Sequence, residues 1–328
     1  MKLATIETIA EVSNHRNADR LDLVKVLGWQ SIVKRGDFKA GDRCVFVVID
    51  TILPDTPWSL FLKDSKRPDA VIRLKTIKLR GEYSQGLVLP LSVLPEHMQT
   101  WQVGCDVGAE LGIKKYEKEL PMSLSGQVKG NFPQYLVSKT DEDNGLSNPW
   151  IVEEVVARGN LIITQKLDGS SCTVIVKDGK ISEVCSRNLS LTETEGNAFW
   201  HAAKKLDVSG FSGDGIIQAE LMGHGVQGNQ LGLNEPTLFV FQMRWGASAW
   251  FERMHIEQYC SHMGCNPVPL VCKDSKHTTL EQFQQLSDAM LLPNGKPAEG
   301  IVVRNDPPIT SGIGRTLGFK IINRNYVD

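Results

Sequence analysis

The stretch TQKLDGSS (164–171) places Lys166 at the end of an apolar run, two residues before the pair Asp168 and Gly169. A lysine amine is a nucleophile only when deprotonated, and its ordinary pKa is about 10.4, so a reactive lysine needs neighbours that change its charge state. Lys-x-Asp-Gly alone carries no chemistry, because Asp-Gly is also a common turn dipeptide. Three further stretches supply ionisable groups in comparable places. IIQAELMG ends a β run with Glu220, AEGIVVRND starts one with Glu299, and LGFKIIN holds Lys320 within one. Singly, each fits a solvated cap of a sheet. Together with Lys166, Asp168 and Arg187 they form an ordered series.

The elements that must position this series read as mixed α and β from residue 151 onward. NLIITQ enters the lysine, and CTVIVKDGKISEV is a hairpin signature turning at Asp178-Gly179. A two-residue turn there pairs Lys177 with Lys180, Thr173 with Val184 and Ser170 with Arg187. That register brings Arg187 beside the loop that follows Lys166. Helices are expected at about 194–206, 252–264 and 279–291. The last has a capping box, Thr278 with Glu281, and an apolar stripe of Leu280, Phe283, Leu286 and Met290 that belongs to the core.

Residues 1–100 read as short strands, such as LDLVKVLG (21–28) and RCVFVVID (43–50), punctuated by KRGD, KAGD and ILPDTP. No long helical pattern intervenes, so a small β-barrel fits. IRLKTIKLRGEYSQGLVLP (72–90) alternates, with Arg73 and Lys75 on one face. Lys78 and Arg80 follow after a phase change at Thr76–Ile77, as at a bulge. These four cations suit a phosphate backbone or a lysine-protected edge strand equally well. Residues 101–150, with MSLSGQVKGNFPQY and TDEDNGLSNP, read as a connector. Lys139 within it either enters an active site or is simply exposed. The expected fold class is α+β, with domains at 1–100 and 151–328 around that connector.

The chain has 328 residues, enough for two cores. No apolar run is long enough to span a bilayer, and MKLATIETIAEV lacks a signal-peptide profile, so a cytoplasmic (for a viral protein, nuclear or host-cytosolic), non-secreted protein is expected. Seven cysteines are scattered, which suits a reducing compartment. His255, Cys260, His262, Cys265 and Cys272 lie close in sequence but lack a Cys-x-x-Cys pair. Met254, Ile256, Tyr259 and Met263 put that group on or after an amphipathic helix, which favours buried thiols over zinc. Net charge is −2, yet residues 1–100 carry 15 Lys/Arg against 12 Asp/Glu and the remainder 21 against 26. The first part is the one suited to an anion.

In order, the motifs are Lys-x-Asp-Gly, Ser-Arg-Asn, a strand with Glu, an aromatic strand (LFVFQM), Glu-Gly-x-Val and a strand with Lys. This series resembles the covalent nucleotidyltransferases: DNA ligases, RNA ligases and mRNA capping enzymes. The resemblance covers about residues 160–323. DNA ligases and capping enzymes carry an OB barrel after the catalytic domain, whereas here the barrel-like region comes first. AEVSNHRNADRLDLVKVLGWQSIVKRGDFKAGDRCVFVVIDTILP looks like the N-terminal OB domain of the type-five ATP-dependent RNA ligases, which seal nicks having a 3′-OH and a 5′-phosphate. Two alternatives stay open: another covalent nucleotidyltransferase, or a non-catalytic module, since this region also looks like tRNA-binding OB domains.

The resemblance implies ATP and Mg²⁺ or Mn²⁺ as cofactors, and a nicked duplex with RNA on the 3′-OH side as partner of a monomeric enzyme. Lys166 would form lysyl-N–AMP. Asp168 and Glu299 would hold the hydrated metal, while Glu220 and Arg187 would contact ribose or phosphates beside Gly169. Phe241, or Phe239 on the same strand face, would stack on adenine with Val302 nearby, although ordinary strand core explains these three as well. Lys320 would contact the α-phosphate. Many superfamily members have Lys-x-Lys in the last motif, but this chain has Gly318-Phe319-Lys320. Either Lys320 suffices or another cation, such as Arg315, substitutes. Arg73, Lys75, Lys78 and Arg80 are assigned to RNA.

Overall fold

The computed structural model describes residues 2–63, 70–116, 127–210, 213–246, 249–274, 276–310 and 315–326. Residues 117–126 of the expected connector therefore lie outside the described residues. The fold class is α+β. The chain divides into two compact units, Met1–Glu119 with Leu146–Pro149, and Leu120–Gly145 with Trp150–Asp328. Residues 101–150 are thus shared between the units.

In the first unit, five antiparallel strands run in the order Trp29–Lys34, Leu21–Val26, Ala4–Asn14, Arg43–Val47, Leu87–Pro90. The long strand Ala4–Asn14 pairs with one neighbour through its first half and another through its second, with a register shift between Ile9 and Glu11. A bulge there bends the strand so that one sheet can wrap around its own core. That core gathers Ala4, Ile6, Val45, Val47 and Leu89 with Leu53, Ile72 and Leu74.

The cationic stretch is not the single bulged strand expected from its alternation. Ile72–Leu74 joins a three-stranded sheet with Thr51–Leu53 and Lys114–Lys115, while Ile77–Leu79 forms a separate hairpin with Glu82–Ser84. Ile72 and Leu74 are buried and commit Arg73 to the sheet, whereas Ile77, Lys78 and Leu79 are all exposed. The break at Lys75–Thr76 separates a strand that buries one face from one that buries neither.

The second unit holds two sheets. One has seven strands in the order Val128–Asn131, Leu189–Leu191, Lys180–Cys185, Ser170–Lys177, Gly215–Met222, Thr237–Trp245, Asn266–Pro267. The other has five, in the order Asp143–Asn144, Gly318–Ile322, Gly300–Asn305, Leu161–Lys166, Leu270–Asp274. Pairing is antiparallel except for short parallel edge strands, Asp143–Asn144 and Asn266–Pro267. The helices Ala198–Ala203 and Arg253–Met263 lay Phe199, Trp200, Ile256, Cys260 and Met263 on the seven-stranded sheet. Helix Pro149–Arg158, absent from the sequence expectations, buries Ile151, Val152 and Val155. Asn305 closes its C-terminal end, donating to the Val155 and Gly159 carbonyls at 2.9 and 2.7 Å.

Two local expectations are corrected. In the hairpin Lys177 does face Lys180, but Thr173 faces Cys185 and Val174 faces Val184. The register shifts between Ile175, opposite Glu183, and Val176, opposite Ile181. Ser182 is the extra residue, its hydroxyl donating to the Ile175 carbonyl at 3.1 Å. The ladder ends at Cys185, so Arg187 does not pair with Ser170. Helix Leu280–Ala289 is capped by Thr279 with Gln282, not by Thr278 with Glu281. Its buried face is Phe283, Gln284 and Ser287, with Leu280, Leu286 and Met290 only half-buried. Its polar members reach the strand Gly318–Ile322, Gln284 donating to the Ile322 carbonyl and Ser287 to that of Ile321, each at 3.0 Å. Registration against strand carbonyls, not an apolar stripe alone, fixes this helix.

Among the described residues no helix is long and apolar enough to cross a membrane. The cysteines form no disulfide, Cys260 is buried, and no group of three or more His, Cys, Asp or Glu side chains could hold a metal ion among the described residues. The capping geometry predicts that Thr279→Ala destabilises the chain by about 1 kcal/mol in chemical denaturation. Thr278→Ala, by contrast, leaves the midpoint unchanged. The reverse ranking would contradict the observed cap.

Candidate active site

Strand register places the candidate cations on one surface. Lys166 is opposite Gly300, Thr164 opposite Val302, and Val302 opposite Lys320. Side chains on directly paired residues share a sheet face, as do residues two apart, so Lys166, Val302 and Lys320 emerge on the same side. Glu299, one residue before the strand Gly300–Asn305, sets its Oε1 2.6 Å from the Lys166 Nζ. On the seven-stranded sheet, Glu220 is flanked by Ser171 and Phe239.

The loop from 167 to 169 joins the two sheets and demands its glycine. The Gly169 N–H donates to Glu220 Oε1 at 3.1 Å. A Cβ at this position would lie 2.3 Å from the Leu221 carbonyl oxygen and 2.5 Å from Met222 Sδ. Backbone cannot yield to that contact, so only glycine lets the loop press against the Glu220 strand. Leu167 is buried against Met222 and Val268, with Phe239 and Phe241 packed on them.

These contacts give a cluster of three carboxylates around one amine. Burial disfavours the Lys166 ammonium, but Glu299, Glu220 and Asp168 oppose burial and hold its pKa above the ordinary value. The magnitudes explain the outcome. Burial shifts a lysine by up to 3–5 units, and one opposite charge about 4 Å away at an effective dielectric of 20 contributes about 4 kcal/mol, or about 3 units. Burial is the largest single effect on Lys166, and the carboxylates together outweigh it. Burial likewise pushes the Glu220 carboxyl up to about 8 and raises Glu299, against the pull of Lys166. The Lys320 ammonium is lowered, first by burial and then by the Lys166 cation.

Glu299 Oε2 is buried with no hydrogen-bond partner. An orphaned carboxylate oxygen beside Asp168 suits a hard divalent cation. With no larger ligand cluster among the described residues, such an ion would keep waters and take phosphate oxygens, as Mg²⁺ commonly does. The donor set therefore fits the group.

Other candidates are placed differently. Arg187 is exposed and paired with Asp141 at 2.5 Å. Lys139 donates to Asn188 Oδ1 at 2.7 Å. Arg315 pairs with Asp143 at 3.1 Å, and buried Arg304 pairs with Glu142. Lys139, Asp141, Glu142, Phe241 and Arg315 line one cavity, whereas Lys166, Asp168 and Glu299 line another together with Tyr326 and Gln230. In the first unit, Arg73 is braced by Asp50 at 2.7 Å with its guanidinium 3.7 Å from the Tyr116 ring centroid. Lys78 lies 4.9 Å from the centroid of Tyr83, and Lys75 and Arg80 are exposed.

Comparisons with known proteins agree with this arrangement. A profile described as RNA ligase matches residues 159–322, and one described as an OB-fold domain matches residues 3–91. Naegleria gruberi RNA ligase, solved with PPi, is 31% identical; the match covers 98% of this chain and 97% of that one, with a TM-score of 0.83. The chain belongs to the RNA ligase family. Mutants of the same Naegleria gruberi enzyme solved with ATP and Mn and with AMP and Mn match at 31% and 30% identity, each covering 98% of this chain and 97% of theirs with a TM-score of 0.82. No curated protein matches by sequence.

Two features of this ligase escaped its sequence. The acidic run Asp141-Glu142-Asp143, read as connector, pairs with Arg187, Arg304 and Arg315. Three consecutive acids against three arginines from the motif-bearing half was the available signal. Tyr326 and Gln230 carried none. Gly318 faces Arg304 across the ladder, and a Cβ there would lie 2.8 Å from Arg304 Cγ. The Arg304 guanidinium lies 5.2 Å from the Phe241 ring centroid. Gly318 thus makes room for a buried cation on the neighbouring strand.

The Gly169 contact predicts that Gly169→Ala yields a folded protein whose covalent labelling by ATP falls by about 100-fold, the usual cost of a displacement near 1 Å. Labelling within a few-fold of wild type would show that the close approach is dispensable.

Proposed function

We propose that this ligase seals 3′-OH/5′-phosphate nicks with ATP in three displacements. The Lys166 amine attacks the α-phosphorus of ATP, forming a P–N bond as the bond to pyrophosphate breaks. AMP then passes from the lysine to the RNA 5′-phosphate. The 3′-OH attacks that activated phosphate and AMP leaves. Each step exchanges one phosphorus bond for another, so positioning and charge neutralisation supply the rate. The observation that carries this reading is the Lys166–Glu299 pair within a cluster that also holds Asp168 and Glu220.

Asp168 and Glu299 hold a hydrated Mg²⁺ or Mn²⁺ in this reading. When bound, the ion supplies positive charge that offsets the phosphates and the carboxylates. Glu299 keeps the Lys166 proton before nucleotide arrives, Glu220 with the Gly169 N–H orients ribose, and Lys320 meets the α-phosphate. Phe239 or Phe241 offers a ring to adenine, with Val302 across from Lys320 in the ladder. Arg187 reaches phosphates by exchanging Asp141 for them.

Residues 1–100 serve the RNA, a nicked duplex with RNA on the 3′-OH side, bound by a monomeric enzyme in a reducing, cytoplasmic setting. Exposed Lys75, Lys78 and Arg80 track the backbone, while Arg73 braces the fold through Asp50 and Tyr116.

ATP with Mn²⁺ should add one AMP to the intact mass, and Lys166→Ala should abolish that gain; an adduct persisting in the variant would refute the assignment. Replacing Lys75, Lys78 and Arg80 with Gln should leave lysyl-AMP formation intact. It should also make nick sealing less sensitive to salt, reducing the log–log slope by up to roughly one for each phosphate that is no longer neutralised. An unchanged slope would return those residues to solvent.

A further inference from the structure

The final described turn of the chain reaches back to the nucleophile. The Asn323 N–H donates to the Glu299 carbonyl oxygen at 2.9 Å, and the Tyr326 N–H to the Asn323 carbonyl at 3.1 Å. Asn323 is buried, and its amide donates to the Met290 carbonyl at 3.2 Å. Arg324 is clamped to Asp288, with its backbone N–H and Nε each at 2.8 Å. From this anchored turn the Tyr326 hydroxyl meets Asp168 Oδ2 at 2.5 Å and Gln230 Nε2 at 2.8 Å.

The direction of that relay is forced. An amide NH₂ only donates and a carboxylate only accepts, so the phenol accepts from Gln230 and gives its one hydrogen to Asp168. Gln230 is itself restrained, its carbonyl accepting from Asn294 Nδ2 at 3.0 Å. One short segment therefore holds the backbone of Glu299 and the carboxylate of Asp168, two groups far apart in sequence. Tyr326 and Gln230 also line the cavity that contains Lys166.

We propose that Tyr326, oriented by Gln230, is a positioning residue that aims the Asp168 carboxylate at the divalent ion. This rests on the metal role given to Asp168 and Glu299 above. A partner that orients a metal-binding carboxylate acts on affinity, and losing it typically weakens binding 10–100-fold. The hydroxyl, not the ring, carries the effect.

The test is Mn²⁺ affinity, read by electron paramagnetic resonance of free Mn²⁺ with AMP present, in full-length wild type, Tyr326→Phe, Asp168→Ala, Glu299→Ala and the Tyr326→Phe/Asp168→Ala double variant. Melting temperatures are recorded alongside. Tyr326→Phe is expected to melt as wild type and to bind Mn²⁺ about tenfold more weakly, with lysyl-AMP yield recovering at saturating Mn²⁺. In the Asp168→Ala background the same change should add nothing, because its target is gone. Wild-type Mn²⁺ affinity in Tyr326→Phe while Asp168→Ala binds weakly overturns the positioning role alone, as does full additivity. Unchanged affinity in both Asp168→Ala and Glu299→Ala overturns the metal reading and this inference with it. If Tyr326→Phe fails to fold, Gln230→Leu decides: a several-fold weakening supports the relay, and none overturns it.

Discussion

The ion pair between Lys166 and Glu299 is the constraint around which the catalytic half is arranged. Lys166 ends one strand and Glu299 immediately precedes its antiparallel neighbour, and their 2.6 Å separation follows from the pairing of Lys166 with Gly300. One register slip would turn the lysine to the opposite face of the sheet. The cost of a buried amine is met by more than one carboxylate, and together Glu299, Glu220 and Asp168 hold the Lys166 pKa above its ordinary value against burial. A lysine ammonium becomes a nucleophile only on losing its proton.

Glycine and arginine supply the second layer of the arrangement. Gly169 lets one sheet's loop lie against the other sheet's Glu220, and Gly318 opens space for Arg304. Arg304 joins Glu142 to the aromatic strand through its contact with Phe241. The segment 140–143 thereby threads past both sheets, with Thr140 meeting Ser171 at 2.8 Å and its three acids meeting arginines. Removing one partner of the buried Arg304–Glu142 pair would leave an uncompensated charge, so this segment is structural as well as acidic.

Much of this was legible in the sequence because it rests on local signals. The Asp178-Gly179 turn, the apolar runs ending at Lys166 and Glu220, and the barrel-like alternation before residue 100 each depend on neighbours in the chain. What was not legible depends on tertiary partners. Ser182 bulges out of the hairpin where alternation alone continues. The cap moved from Thr278 to Thr279 because either threonine satisfies the motif, and the carbonyls of Ile321 and Ile322 choose between them. The bracing of Arg73 by Asp50 and Tyr116 gave no signal either, because both partners lie outside its own stretch. Tyr326 gave no signal because its partner lies far upstream, across the whole domain.

The role of this ion pair is decided by a titration of Lys166 itself, followed by NMR of isotopically labelled lysine in the nucleotide-free wild type and in Glu299→Gln. Removing the carboxylate charge while keeping the side chain's shape isolates the electrostatic part of the pair. Lys166 is expected to titrate above the ordinary lysine range in the wild type and distinctly lower in Glu299→Gln, where burial is opposed by fewer charges. Identical titration in both proteins would show that the charge raising Lys166 lies elsewhere.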